Sequence, residues 1–145
     1  VKCDIKTKAN YNGASSGYMV NVTLLNVHVI GNITGINYTG GLIGYGKNIY
    51  IQNSSFKGKI NGCQNIGGLS GYLFDSVIKN GLVKCNINGD SLLGGIAGSI
   101  SGNILINNVK YFGNVTGIKN IGGIIGNANC GSNTNHHQLM LQILL

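Results

Sequence analysis

The chain has 145 residues, 43% of them hydrophobic and only 9% charged, with a net charge of +7. That length suits one domain with a core of its own, and the apolar share excludes a disordered chain. All ten basic residues are Lys and the acids are only Asp4, Asp75 and Asp90, which argues against paired-carboxylate catalysis and, for want of Arg, against specific nucleic-acid reading.

In chain order, the first twelve residues hold Lys2, Lys6 and Lys8, and the first trace of a pattern is Gly13-Ala14-Ser15-Ser16-Gly17. Four pentapeptides then share its outer glycines: Gly40-Gly41-Leu42-Ile43-Gly44, Gly67-Gly68-Leu69-Ser70-Gly71, Gly94-Gly95-Ile96-Ala97-Gly98 and Gly122-Gly123-Ile124-Ile125-Gly126. Their starts are 27, 27 and 28 residues apart. Other positions keep the register. Leu24, Ile51, Ile78 and Ile106 form one column, Val29, Phe56, Val83 and Tyr111 a second, and Ile33, Ile60, Ile87 and Val115 a third. Asn26, Asn53, Asn80 and Asn108 form a fourth.

One period reads as about three short strands. In Phe56-Lys57-Gly58-Lys59-Ile60 the apolar and small residues share one face and the two lysines the other, the two-residue alternation of a half-buried strand. Asn61-Gly62 then supplies a tight turn. Gly is too frequent for helix, and 27 residues are too few for a strand–helix–strand crossover with its sheet partners. The expected fold is therefore all-β: a parallel β-helix or β-solenoid of about five coils of 27–28 residues, right-handed by the general preference for such crossovers. Residues 1–126 form the repeats, clearest over 13–126. Residues 127–145 depart from the pattern and end in the apolar run Leu139–Leu145, which reads as a cap, an interaction segment or a sequence artefact, and is too short to span a bilayer.

Stacked coils turn columns into ladders. Asn26, Asn53, Asn80 and Asn108 are expected to form an inward amide ladder, so that the Asn-x-Ser triplet at Asn53 should not be modified; those at Asn21, Asn32, Asn37 and Asn114 could carry glycans in a secreted eukaryotic protein, although most such triplets arise by chance in so Asn-rich a chain. The Gly-Gly-x-x-Gly glycines either let two backbones approach closely, the favoured reading, or simply make turns. Cys85 shares a column with Gly31, Gly58 and Gly113 and reads as a buried thiol; Cys3, Cys63 and Cys130 show neither a disulfide framework nor zinc spacing. His136, His137 and Cys130 are the one cluster that a metal could touch, and His28 reads as an outward strand residue. No catalytic residue, structural metal site or cofactor is expected.

Lys57, Lys59 and Lys84, with Tyr45 and Tyr72 after the glycine motif, are the residues expected on a binding wall. The lysines otherwise lie singly along the chain, as solubilising charge would. The tyrosines either hold sugar rings or close the corner beside the glycines, the second being favoured.

The Gly-Leu-x-Gly cores of Gly41-Leu42-Ile43-Gly44 and Gly68-Leu69-Ser70-Gly71, and the Gly-Ile-x-Gly versions at Gly95–Gly98 and Gly123–Gly126, resemble the GLUG-motif repeats, over roughly residues 13–126. That resemblance implies an adhesin-like, extracellular or cell-surface module of a microbial protein, with glycan or protein as partner and no activity. The competing expectation is a structural rod or filament subunit that meets copies of itself or other assembly subunits through its solenoid ends and apolar tail. No transmembrane span or signal peptide is visible, and the chain reads as part of a longer or processed protein.

Overall fold

A computed structural model of the chain describes residues 2–129 in full and residues 139–142 by their backbone. Among these residues there is no helix. The strands are β1 (Ile5–Lys6), β2 (Ser16–Leu25), β3 (His28–Thr34), β4 (Asn37–Gly40), β5 (Ile43–Gln52), β6 (Ser55–Asn61) and β7 (Gln64–Gly67). They continue as β8 (Ser70–Asn88), β9 (Ser91–Gly94), β10 (Ala97–Phe112), β11 (Val115–Thr116), β12 (Lys119–Gly122), β13 (Ile125–Asn129) and β14 (Leu139–Gln142).

Every ladder is parallel and joins one coil to the next, giving a β-solenoid of about five turns. The register follows the sequence columns residue for residue. Leu24 faces Ile51, Ile51 faces Ile78 and Ile78 faces Ile106. Val29, Phe56, Val83 and Tyr111 align likewise, as do Gly40, Gly67, Gly94 and Gly122. The 28-residue step between the third and fourth glycine motifs is localised: Ser101 pairs with Phe74, but Ile104 pairs with Ser76, so the extra residue enters at Gly102–Asn103. There Gly102 has φ of 74°, and the Asp75 carboxylate accepts the Asn103 amide at 2.8 Å.

Left-handed backbone recurs in three columns along the coils, and the chain also bends at Ile36 and at Gly41–Leu42 without it. One column of such corners is Asn21, Asn48 and Asp75; the second is Asn26, Asn53, Asn80 and Asn108; the third is Tyr38, Asn65, Leu92 and Asn120. Asn and Asp tolerate this conformation better than other non-glycine residues. Strands β5, β8 and β10 run on through these corners, their ladders lapsing at the corner residues Asn48, Asp75, Asn80 and Asn108, so one long strand serves two walls.

The interior is a dry column of aliphatics. Ile33, Leu42, Ile43, Ile51, Ile60, Ile66, Leu69, Leu73, Leu93 and Ile106 are fully buried. Polar groups that enter it are paired: the Ser54 hydroxyl donates to Gln52 C=O at 3.0 Å and accepts Val27 N–H at 3.1 Å. Ser76 repeats the device with Phe74 C=O and Ile49 N–H at 2.8 and 3.0 Å. Among the described residues no buried side-chain polar atom lacks a partner, as native interiors require.

The glycine motif sits where two walls meet. None of its twelve glycines has a left-handed φ, so conformational freedom is not what the motif supplies. Space is. A methyl group on Gly41 would lie 2.2 Å from Gly68 C=O and 2.3 Å from the Phe56 ring; on Gly68, 2.1 Å from Gly95 C=O and 2.4 Å from Val83. The last glycine of each motif faces backbone: a Cβ on Gly44 would sit 2.5 Å from Asn12 N, on Gly71 2.6 Å from Thr39 N, and on Gly98 2.4 Å from Ile66 N. Thus Gly41, Gly68 and Gly95 form a seam of near-bare backbone into which Phe56, Val83 and Tyr111 press, while Gly40, Gly67, Gly94 and Gly122 beside them face backbone.

Candidate functional site

The wall of β1, β3, β6, the end of β8, β10 and β11 alternates strictly. Val29, Gly31 and Ile33 point in; His28, Ile30 and Asn32 point out. Four outward rows run along the rod. The first is His28, Ser55, Leu82 and Lys110; the second is Lys2, Ile30, Lys57, Lys84 and Phe112. In the third, Asn32, Lys59 and Asn86 are in register, Asp4 accepts the Asn32 amide at 2.7 Å and Asn86 the Asn114 amide at 3.1 Å. The fourth is Lys6, Thr34, Asn61, Asn88 and Thr116.

Six of the ten lysines (Lys2, Lys6, Lys57, Lys59, Lys84 and Lys110) therefore lie exposed on one wall, with Asp4 as its one carboxylate. This corrects the expectation that they are scattered. Lys110, Lys84 and Lys59 stand on a diagonal over three successive coils, each one coil back and one outward position along. Their signature in the sequence is a spacing of the coil length less two residues, which column-by-column alignment does not catch. His28, Ile30, Ser55, Lys57, Leu82 and Lys84 border a groove of about 270 Å³ on this wall. His28 Nδ1 lies 2.7 Å from Ser55 Oγ, and the Lys84 ammonium lies 5.9 Å from the centre of the Phe112 ring.

Tyr45 and Tyr72 do not share that wall; two left-handed corners separate them from the lysines. Tyr18, Tyr45 and Tyr72 stack along the rod, with centroids 5.1 and 4.9 Å apart and planes within 4°. Tyr11 and Tyr38 stack beside them at 5.1 Å, and the two columns meet edge to face at 5.9 to 6.2 Å. Both ring faces of Tyr45 are covered by its neighbours, so a sugar ring has no face there to lie on. Burial first, and then the neighbouring Tyr72, Tyr18, Tyr38 and Tyr11, hold the Tyr45 hydroxyl above its ordinary 10.0. The Tyr72 hydroxyl bonds Ser101 Oγ. Aromatic packing at the corner accounts for this cluster.

The Asn column turns outward, against the inward ladder expected. Asn26, Asn53 and Asn80 are exposed, whereas Asn65, left-handed in another column, is buried and accepts the Ser99 hydroxyl at 2.6 Å. One amide bond links the column, Asn108 Nδ2 donating to Asn80 Oδ1 at 2.7 Å; Asn48 to Asn21, in the neighbouring corner, matches it at 2.7 Å. The Asn53 triplet is accordingly as open as its neighbours. The corner columns of Asn21 and of Tyr38 went unread in the sequence because Asp75, Tyr38 and Leu92 interrupt the asparagines.

The carboxylates stay apart: Asp4 at the edge of the lysine wall, Asp75 at a corner, and Asp90 in the loop before β9, where its amide bonds Cys63 C=O at 2.8 Å. Among the described residues no three His, Cys, Asp or Glu groups converge. Cys85 is buried and free, its thiol pushed up by burial to about 12; Cys3 and Cys63 are free and half-buried. Cys130, His136 and His137 lie outside the described residues. No helix among the described residues is long and apolar enough to cross a membrane. No family model matches this chain, and no curated protein matches it either.

Proposed function

We propose that this chain is a non-catalytic binding module of an extracellular or cell-surface protein, a rigid solenoid that adheres through a lateral wall. The observation that supports it is the wall of β3, β6, β8 and β10, where outward side chains stand in fixed rows over a buried aliphatic core. Parallel ladders hold neighbouring rows ~4.8 Å apart, so such a wall meets a partner without reordering, and pre-organisation lowers the cost of binding. The likeness of the glycine cores to GLUG-motif repeats favours the same reading. Trypsin shaving of intact source cells tests it. Peptides such as residues 60–79 should be released without lysis; their appearance only after lysis would contradict an external location.

A filament subunit is the second reading. Ile118 is 84% and Ile121 40% exposed on the last full coil, and β14 adds its backbone to β10 as a further parallel strand. Unpaired strand edges at coil ends favour end-to-end addition. Under that reading, deleting residues 139–145 abolishes assembly in sedimentation velocity.

A further inference from the structure

Resting on the lateral-wall reading, we infer that the lysine wall binds a linear anionic polysaccharide of the polyuronate class, laid across the coils along the diagonal of Lys110, Lys84 and Lys59. Three observations carry it. The wall holds six exposed lysines against one carboxylate, Asp4, which precedes the first strand and is not on that diagonal. Those lysines belong to successive parallel strands, so their backbone positions recur about every 8 Å along a straight line. A groove of about 270 Å³ opens beside them, bordered by Lys57 and Lys84 together with Ile30 and Leu82, which are 54% and 36% exposed. A uronate polymer carries a carboxylate on every sugar and apolar C–H faces between, and an extended chain along the diagonal meets three ammonium groups with the apolar surface of Ile30 and Leu82 beside it.

Other polyanions fit less well. A flat sheet enters neither groove of a duplex, and Lys, unlike Arg, gives no bidentate fork. A membrane surface wants a continuous apolar stripe, whereas Ile30, Leu82 and Phe112 are separated by Lys57, Lys84 and Ser55, and Phe112 has the Lys84 ammonium near its ring. Polyuronate recognition needs neither; it needs regularly spaced, exposed point charges, whose attraction is long-ranged at low salt and screened at high salt.

The test uses the whole chain against polygalacturonate, with dextran, duplex DNA and phosphatidylserine vesicles as comparators. The triple variant Lys59→Gln, Lys84→Gln, Lys110→Gln should weaken polygalacturonate binding roughly tenfold. The triple variant Lys47→Gln, Lys79→Gln, Lys119→Gln removes the same charge from other walls and should change it little. Added salt should weaken binding of the unaltered chain, and dextran should not bind. Equal loss in both triple variants, tighter binding to DNA or to vesicles, or no binding of polygalacturonate would each overturn the inference. Such a failure with repeat peptides still released from intact cells would leave the adhesive reading standing with a different ligand.

Discussion

At the scale of single residues, the solenoid is a problem of corners and of buried polar atoms. Eleven described non-glycine residues are left-handed; eight are Asn and one is Asp75, leaving Tyr38 and Leu92 as the residues whose Cβ makes that conformation costly. Leu92 stands in a column with Asn65 and Asn120, so Leu92→Asn relieves strain and should stabilise the fold by about 1 kcal/mol, read as a higher urea midpoint at unchanged slope. Cys85 makes a different demand. Burial raises its thiol from 9.0 to about 12; the folded state keeps the proton that the unfolded chain releases. Its contribution is full below pH 9 and is lost as pH rises towards 12. Urea midpoints measured across that window should therefore fall less steeply for Cys85→Ala than for the unaltered chain; Tyr45 and Tyr111 are also raised, chiefly by burial, and Tyr111 in part by Cys85 itself, so the difference reads Cys85 together with its effect on Tyr111.

At the scale of the repeat, the glycine motif is a packing device. The same column supplies a contrast that separates space from chain flexibility. Gly68→Ala drives a methyl group to 2.1 Å from Gly95 C=O, and should cost about 3 kcal/mol, since a rigid ladder cannot retreat. Gly123→Ala, where nothing among the described residues lies within 4 Å, should stay within about 0.5 kcal/mol. If both cost alike, the motif serves backbone entropy and not close approach. Much of this element was legible beforehand. A parallel ladder repeats its register, so the spacing of the glycine motifs and of Leu24, Ile51, Ile78 and Ile106 maps directly onto strand pairing. The direction of the Asn26–Asn108 column was not legible. Two-residue alternation predicts in or out only within a strand, and a left-handed residue at a corner breaks the alternation.

At the scale of the whole molecule, the walls differ in character although all derive from one repeat. One wall collects lysines; the corner beyond the glycine seam collects tyrosines that stack on each other. Neither could be read from single columns. Lys59, Lys84 and Lys110 meet because each is displaced by one outward position from coil to coil, and Tyr11 and Tyr38 reach Tyr18 and Tyr45 only through the close approach that Gly17 and Gly44 allow. The proposed function resides on the side of the rod and not at its ends. Its most direct test compares two changes in one retention assay on immobilised polygalacturonate: Lys59→Gln, Lys84→Gln, Lys110→Gln, and deletion of residues 139–145. The account predicts that the lysine variant is lost from the matrix while the deletion is retained; retention of the lysine variant with loss of the deletion would contradict it and move function to the coil ends.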